Sequence, residues 1–138
     1  MQIAGYDNNR HRRPVMDLWS LVFGYTETRN QPALSIDKKL QADDGLFFVA
    51  VDQDLVVGTV MAGYDGHRGW IYSLAVDPQH RAQGIGTRLL NHAEQELQRR
   101  GCVKVNLQIL STNDSVKEFY LRNGYAVEPR ISMGKVLV

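Results

Sequence analysis

The sequence predicts an α/β chain of the α+β kind, built on one mixed, mostly antiparallel sheet of about six to seven strands with helices on both faces. Two observations predict it. Runs of β-branched and aromatic residues, separated by short polar turns, follow one another through the middle of the chain, which is the pattern of hairpins. On either side of that block, helical stripes with apolar spacings of three and four alternate with single strands, which is the pattern of crossovers. With 138 residues, no internal repeat and no low-complexity linker, a single domain over residues 1–138 is expected.

The elements run in a clear order. Met1 to Tyr6 reads as a short edge strand. Asn9 precedes Arg10 to Gly24, where Val15, Leu18, Trp19, Val22 and Phe23 form a helical stripe. Pro14 fits that helix only in its first turn. Tyr25 to Pro32 is polar and turn-like, and Ile36 and Leu40 suggest a short second helix. Leu46 to Val51 and Leu55 to Ala62, joined by Asp52-Gln-Asp54, read as a hairpin. A second polar turn, Tyr64 to Gly69, leads to Trp70 to Val76, apolar enough to be a central strand, which Asp77-Pro78 ends. The longest helix is Gly84 to Gly101, with Ile85, Leu89, Leu90, Ala93 and Leu97 on one face and Gly101 as its stop residue. Val103 to Leu110 alternates apolar and polar residues as a half-buried strand does. Thr112 to Ser115 offers N-caps for a helix over Val116 to Asn123, and Tyr125 to Val127 and Ile131 to Val138 read as two last strands.

Composition narrows the function. Sixteen Lys and Arg against fifteen Asp and Glu leave a net charge of +1, so no global field attracts nucleic acid or anionic lipid, and an anionic ligand needs a local site. No basic stripe interleaved with aromatics argues for nucleic acid either. The single cysteine, Cys102, forms no internal disulfide, in keeping with a reducing compartment, and reads as a small buried hydrophobe. The four histidines lack metal-ligand spacing, so no metal is expected. No apolar run has the length of a membrane span, and Met1 to Asp7 lacks the basic-then-apolar pattern of a secretion signal. The expected location is the cytoplasm.

The most informative segment is Leu74-Ala-Val-Asp-Pro-Gln-His-Arg-Ala-Gln-Gly-Ile-Gly-Thr-Arg-Leu-Leu90. A central strand runs into a turn, and the turn opens the long helix through Gly84 and Gly86. Glycines there allow close backbone approach, and the first N–H groups of a helix have no internal partners, so they attract an anion. Two phosphate-binding chemistries fit poorly. A dinucleotide fingerprint wants a third glycine where Leu89 stands, and a P-loop wants a lysine that Gly86-Thr87-Arg88 lacks.

A third fits. Arg81-Ala-Gln-Gly84-Ile-Gly86 resembles the Arg/Gln-x-x-Gly-x-Gly/Ala signature of the GNAT superfamily of N-acetyltransferases. The resemblance extends to Leu74-Ala-Val-Asp-Pro, to Asn113, Phe119 and Tyr120, to Asn123-Gly-Tyr125, and to the order of elements. Gly58 to Gly69 further resembles the small bacterial YpeA-like acetyltransferases.

The resemblance implies the fold of that family, an acetyl-CoA-dependent N-acetyltransferase activity, and a set of site residues. The coenzyme A diphosphate is expected on the backbone N–H groups of Gln83, Gly84, Ile85, Gly86 and Thr87, with Arg81 and Arg88 as charge partners. For Arg88 the weightier reading is a solvated helix end. The pantetheine arm is expected to pair like a strand with the backbone of Leu74, Ala75 and Val76, with an N–H at Leu74 or Ala75 stabilising the carbonyl oxygen as charge develops. Tyr120, seven residues after Asn113, is the expected proton donor to the departing thiolate. Asn113 is a cofactor contact, a helix cap, or both. In the branch that acetylates ribosomal-protein N-termini, a Glu lies five residues before the position of Asn113. Here Gln108 stands in that place and cannot take a proton, so no base is assigned. Glu27, Asp65, His67 and Tyr72 are the other candidates for the base, each with a heavier structural reading, His67 as a turn residue and Tyr72 as a strand aromatic. The expected partners are acetyl-CoA and an amine, a small molecule or a protein amine, with a homodimer as a further possibility from relatives. A non-catalytic acyl-CoA-binding or sensing module is the alternative, and acyl transfer to a hydroxyl ranks below both.

Overall fold

The computed structural model describes residues 1–24 and 31–138, so part of the expected turn from Tyr25 to Pro32, and Glu27 with it, lie outside the described residues. The chain forms two compact units, Met1–Gln108 and Ile109–Val138.

In the first unit, β1 (Gln2–Gly5), α1 (Asn8–Phe23), α2 (Pro32–Ala42), β2 (Phe47–Asp52), β3 (Leu55–Tyr64), β4 (Gly69–Val76), a 3-10 turn (Pro78–His80), α3 (Ile85–Arg99) and β5 (Val105–Leu107) follow in order. The five strands make one sheet in sequence order, antiparallel from β1 to β4 and parallel between β4 and β5. The hairpin from β2 to β3 turns through Gln53 and Asp54, both at positive φ, the backbone that matches strand twist in a two-residue loop.

Helix α1 starts two residues before the expected boundary. Asp7, not Asn9, is the N-cap, its carboxylate accepting from the N–H groups of Asn9 and Arg10 at 2.9 and 3.3 Å. Pro14 therefore lies beyond the first turn, against expectation. It is tolerated on the exposed side, where water can reach the carbonyl its ring leaves without an N–H partner. The opposite side of the helix buries Val15, Leu18 and Trp19 with Ile36 of α2 and Phe47, Val49, Met61 and Ala75 of the sheet. Phe47 stacks between Tyr6 and Trp19, with centroids 4.1 and 5.7 Å away. The other face of the sheet receives α3 on Ile85, Leu89, Leu90, Ala93 and Leu97, all buried, the same five residues the periodicity picks out. Helices thus cover both faces.

Helix α2 is fastened to this layer by a buried ammonium. Lys39 Nζ donates to Asp44 Oδ2 at 2.7 Å and to the Ala62 carbonyl, and stands 5.3 Å over the Tyr72 ring. A buried lysine needs these partners to offset its desolvation.

Three strand expectations are corrected. The expected strand Val103 to Leu110 shrinks to β5, Val105–Leu107. Its ladder with β4 runs only from Gly69–Val105 to Ile71–Leu107, because β4 is bulged just beyond, at Ser73, and a bulge bends a strand away from its neighbour. Tyr125 to Val127 and Ile131 to Val138 are not strands. Their unit, which holds α4 (Asp114–Arg122), contains no ladder for them to join. Among the described residues the sheet has five strands rather than six or seven.

Candidate active site

The site is built where β4 passes into α3. Opposite β3 the register steps from Met61–Tyr72 to Thr59–Ala75, so Val60 faces two residues, Ser73 and Leu74. Ser73 has φ +52, a left-handed backbone unusual for a side chain larger than glycine. One consequence is that Tyr72 and Ala75, three apart, share a sheet face that strict alternation would deny one of them. Past Ile71, β4 has no ladder on its β5 side. An antiparallel ladder alternates in phase, and the bond from Asp77 N–H to Val57 O, 2.8 Å, fixes that phase. Val76, opposite Gly58, then turns its polar groups away from β3, and its carbonyl accepts from Arg81 Nε at 3.3 Å.

The turn itself is held by its own side chains. Asp77 accepts from Gln79 N–H through its carboxylate and from His80 N–H through its carbonyl, both at 2.8 Å. The chain then passes through Ala82 and Gly84, at φ +63 and +78, into α3. Gly84 is the N-cap of α3 and offers no side-chain acceptor, so the leading N–H groups of Ile85, Gly86 and Thr87 keep their donor capacity. Around them Arg81, Ala82, Gln83 and Gly84 are exposed, and a Cβ built on Gly84 meets no atom within 4 Å. Outward amides at the positive end of a 15-residue helix suit an anion the size of a diphosphate.

Leu74, Ala75, Val76, Arg81, Gln83, Gly84, Ile85, Gly86 and Thr87 are thus brought together on one strand–turn–helix. Sequence reading missed the bulge at Ser73 and the residue that holds its carbonyl, Thr59. No spacing signals either one. Arg88 is exposed, as a residue of a solvated helix end is.

In the second unit, Asn113 is the N-cap of α4 and accepts from Val116 N–H at 3.3 Å. Tyr120 is buried among aromatics, its ring 5.1 Å from Phe119 and 5.5 Å from Tyr125 by centroid. Burial pushes its phenol up to about 12.

The considered bases among the described residues, Asp65, His67 and Tyr72, have structural places. Asp65 closes the β3–β4 turn, accepting from His67 and Arg68 N–H at 2.8 and 2.7 Å, and these bonds hold its carboxyl below the usual range. His67 sits in that turn. Tyr72 lies half exposed under the Lys39 ammonium. Among the described residues no group of His, Cys, Asp and Glu is arranged for a metal ion, and no helix is long and apolar enough to cross a membrane.

The model of the acetyltransferase (GNAT) family matches residues 12–125. The chain belongs to that family. Acetyl-CoA is the co-substrate its members use.

Solved structures agree in fold. PaiA N-acetyltransferase from Thermoplasma acidophilum, in complex with coenzyme A, superposes with a TM-score of 0.81 at 17% identity, covering 94% of this chain and 92% of that one. An aminoglycoside 6'-N-acetyltransferase from Acinetobacter haemolyticus gives 0.79 at 14% identity, over 100% and 99% of the two chains. Ard1 from Thermoplasma volcanium gives 0.79 at 22% identity, over 92% and 83%. This acetyltransferase-family chain therefore shares its architecture with proteins whose sequences have largely diverged.

Proposed function

We propose that the chain is an N-acetyltransferase that moves the acetyl group of acetyl-CoA onto an amine by direct attack, with residues 1–138 acting as one domain. The single observation that carries the reading is the row of uncapped amides at the start of α3, one turn after a strand whose far edge is uncovered past Ile71. A family model that crosses from one compact unit into the other supports the one-domain part.

The residues divide the work. The N–H groups of Gln83 to Thr87 grip the diphosphate, and Arg81 adds charge while bonded to the end of β4. The free edge of β4 pairs with the pantetheine amides as a further strand does, through Leu74 and Val76, while Ala75 between them bonds back to β3. A backbone N–H there stabilises the oxygen of the thioester carbonyl as the amine nitrogen attacks its carbon. The C–N bond forms and the C–S bond breaks; Tyr120 protonates the leaving sulfur, and the proton the nitrogen gives up on becoming an amide restores the phenol by way of solvent. The incoming amine, an ammonium ion of pKa about 10.4 in water, first sheds its proton to solvent, since no side chain is assigned as base. Asn113 shapes the start of α4 and lies two turns from Tyr120 on the same side of that helix.

The acceptor is a small-molecule or protein amine. Gln108 in place of a carboxylate favours an acyl-CoA-binding module without turnover as the second reading. The test is thiol release from acetyl-CoA against a panel of amines and peptides, beside calorimetry with CoA. Binding with turnover supports the enzyme, binding without turnover across the panel supports the module, and no binding overturns both.

A further inference from the structure

The peptide between Ser73 and Leu74 is held by a buried relay that starts on α1. Trp19 and Thr59 are both fully buried. Trp19 Nε1 donates to Thr59 Oγ1 at 2.8 Å, and Thr59 Oγ1 donates to the Ser73 carbonyl at 2.9 Å. The direction is forced: an indole only donates and a carbonyl only accepts, so the single hydroxyl proton of Thr59 must go to Ser73. Among the described residues no peptide bond is cis. In a trans peptide the N–H points opposite to the C=O. A Ser73 carbonyl drawn to the Thr59 hydroxyl, on the α1 face beside β3, therefore turns Leu74 N–H the opposite way, off β3 and toward the side of β4 that β5 leaves uncovered after Ile71. The next amide is not available for this. The ladder phase set by Asp77 and Val57 makes Ala75 and Thr59 a hydrogen-bonded pair, which spends Ala75 N–H on β3.

We propose that Thr59, backed by Trp19, is a positioning residue for acetyl transfer: it fixes the bulged peptide so that Leu74 N–H, rather than Ala75 N–H, meets the carbonyl oxygen of the thioester. This rests on the acetyltransferase reading and adds to it the device that aims the donor. The bulge costs backbone strain at Ser73, and the relay supplies the bond that keeps it. Donors aimed before reaction stabilise developing charge most, and small misplacements are costly in rate.

The experiment uses the full chain and the amine the wild type turns over best. Thr59→Val keeps the shape and removes the proton. It is expected to lower kcat about tenfold or more, with calorimetric CoA affinity and the KM for acetyl-CoA held within about twofold because the diphosphate grip is elsewhere. Thr59→Ser, which retains the hydroxyl, is expected to recover most of the rate. A Thr59→Val protein as fast as wild type overturns the role, as do Val and Ser variants equally slow. If Thr59→Val does not fold, the Leu74 amide resonance of the wild type decides: it shifts when acetyl-CoA replaces CoA, and an unmoved resonance overturns the assignment. A wild-type protein that neither binds CoA nor releases thiol sinks the acetyltransferase reading itself. An active wild type with an undiminished Thr59→Val variant sinks only the part assigned to Thr59.

Discussion

Gly58 of β3 lies so close beneath Leu89 of α3 that a methyl group on it would stand 2.8 Å from the leucine Cδ1. The same carbon would meet the Ala75 carbonyl oxygen at 3.1 Å and Ile85 Cγ2 at 3.3 Å. Leu89 can rotate away, but the backbone of β4 and the first residue of α3 cannot yield without moving the turn between them. Gly58→Ala is expected to cost roughly 1–3 kcal/mol of stability, the usual range for overpacking. Because the strain falls on the two elements that frame the candidate site, CoA affinity is expected to fall with it. Urea unfolding and calorimetry on one preparation check the pair of effects, and a stable variant with normal affinity contradicts the close packing of α3 on β3.

At Gly84 the protein has room but the backbone objects. With φ at +78 and open space around a Cβ, Gly84→Ala is expected to lose about 1–2 kcal/mol of stability through the left-handed penalty while keeping CoA affinity within a few-fold. Gly84→Glu adds a carboxylate beside the amides proposed for the diphosphate and is expected to abolish CoA binding by charge. A Glu variant that binds CoA as the Ala variant does removes the diphosphate from this turn. The complementary change is Ala82→Gly, which relieves φ +63 at a residue with a Cβ and is expected to raise stability by about 1 kcal/mol, read as a higher urea midpoint.

What the sequence made legible follows from how each feature is encoded. The apolar face of α3 is periodic, so Ile85, Leu89, Leu90, Ala93 and Leu97 could be named in advance. The diphosphate turn is marked by glycines and by its strand–turn–helix setting. The bulge was invisible because Trp70 to Val76 is apolar nearly throughout, and a run without alternation carries no phase for a register shift to disturb. Thr59 looked like an ordinary strand residue for the same reason. The N-terminus of α1 was misplaced because Asp7, Asn8 and Asn9 are all good caps. Only the three-dimensional approach of His11 selects Asp7: its Nδ1 accepts Asp7 N–H at 2.9 Å.

That same bond makes His11 an acid-sensitive point. The ring is buried, and burial first, then the neighbouring Arg10 charge, lower its pKa below the ordinary histidine value, with Asp7 opposing. Protonation would also remove the lone pair that holds Asp7 N–H. The unfolded chain takes up this proton near pH 6.5 while the folded chain resists it, so the stabilisation is complete above about 6.5 and is lost as pH falls below it. A His11→Gln variant, which has no titrating ring, is expected to show a smaller drop in urea midpoint between pH 7.5 and pH 5. An equal drop in both proteins assigns the acid sensitivity to other groups.

Tyr120 separates a catalytic from a purely structural aromatic. Its burial pushes the phenol up to about 12, so the proton stays on throughout the working range; the same shift makes it a weaker donor, and transfer draws on the charge that develops on the departing sulfur. Tyr120→Phe preserves the ring that packs against Phe119 and Tyr125 and removes only the hydroxyl. It is expected to lower kcat at least about tenfold with CoA affinity intact. The stability sign runs the other way from that of His11. Below about pH 10 the phenol is neutral both folded and unfolded and costs nothing; between about 10 and 12 only the unfolded chain ionises, so the wild type loses up to about 1.4 kcal/mol per pH unit. The Phe variant is expected to escape that alkaline loss. If kcat is unchanged while the alkaline loss disappears, Tyr120 is a core residue and the proton for the thiolate comes from solvent. If kcat collapses and the alkaline loss disappears together, one buried hydroxyl accounts for both.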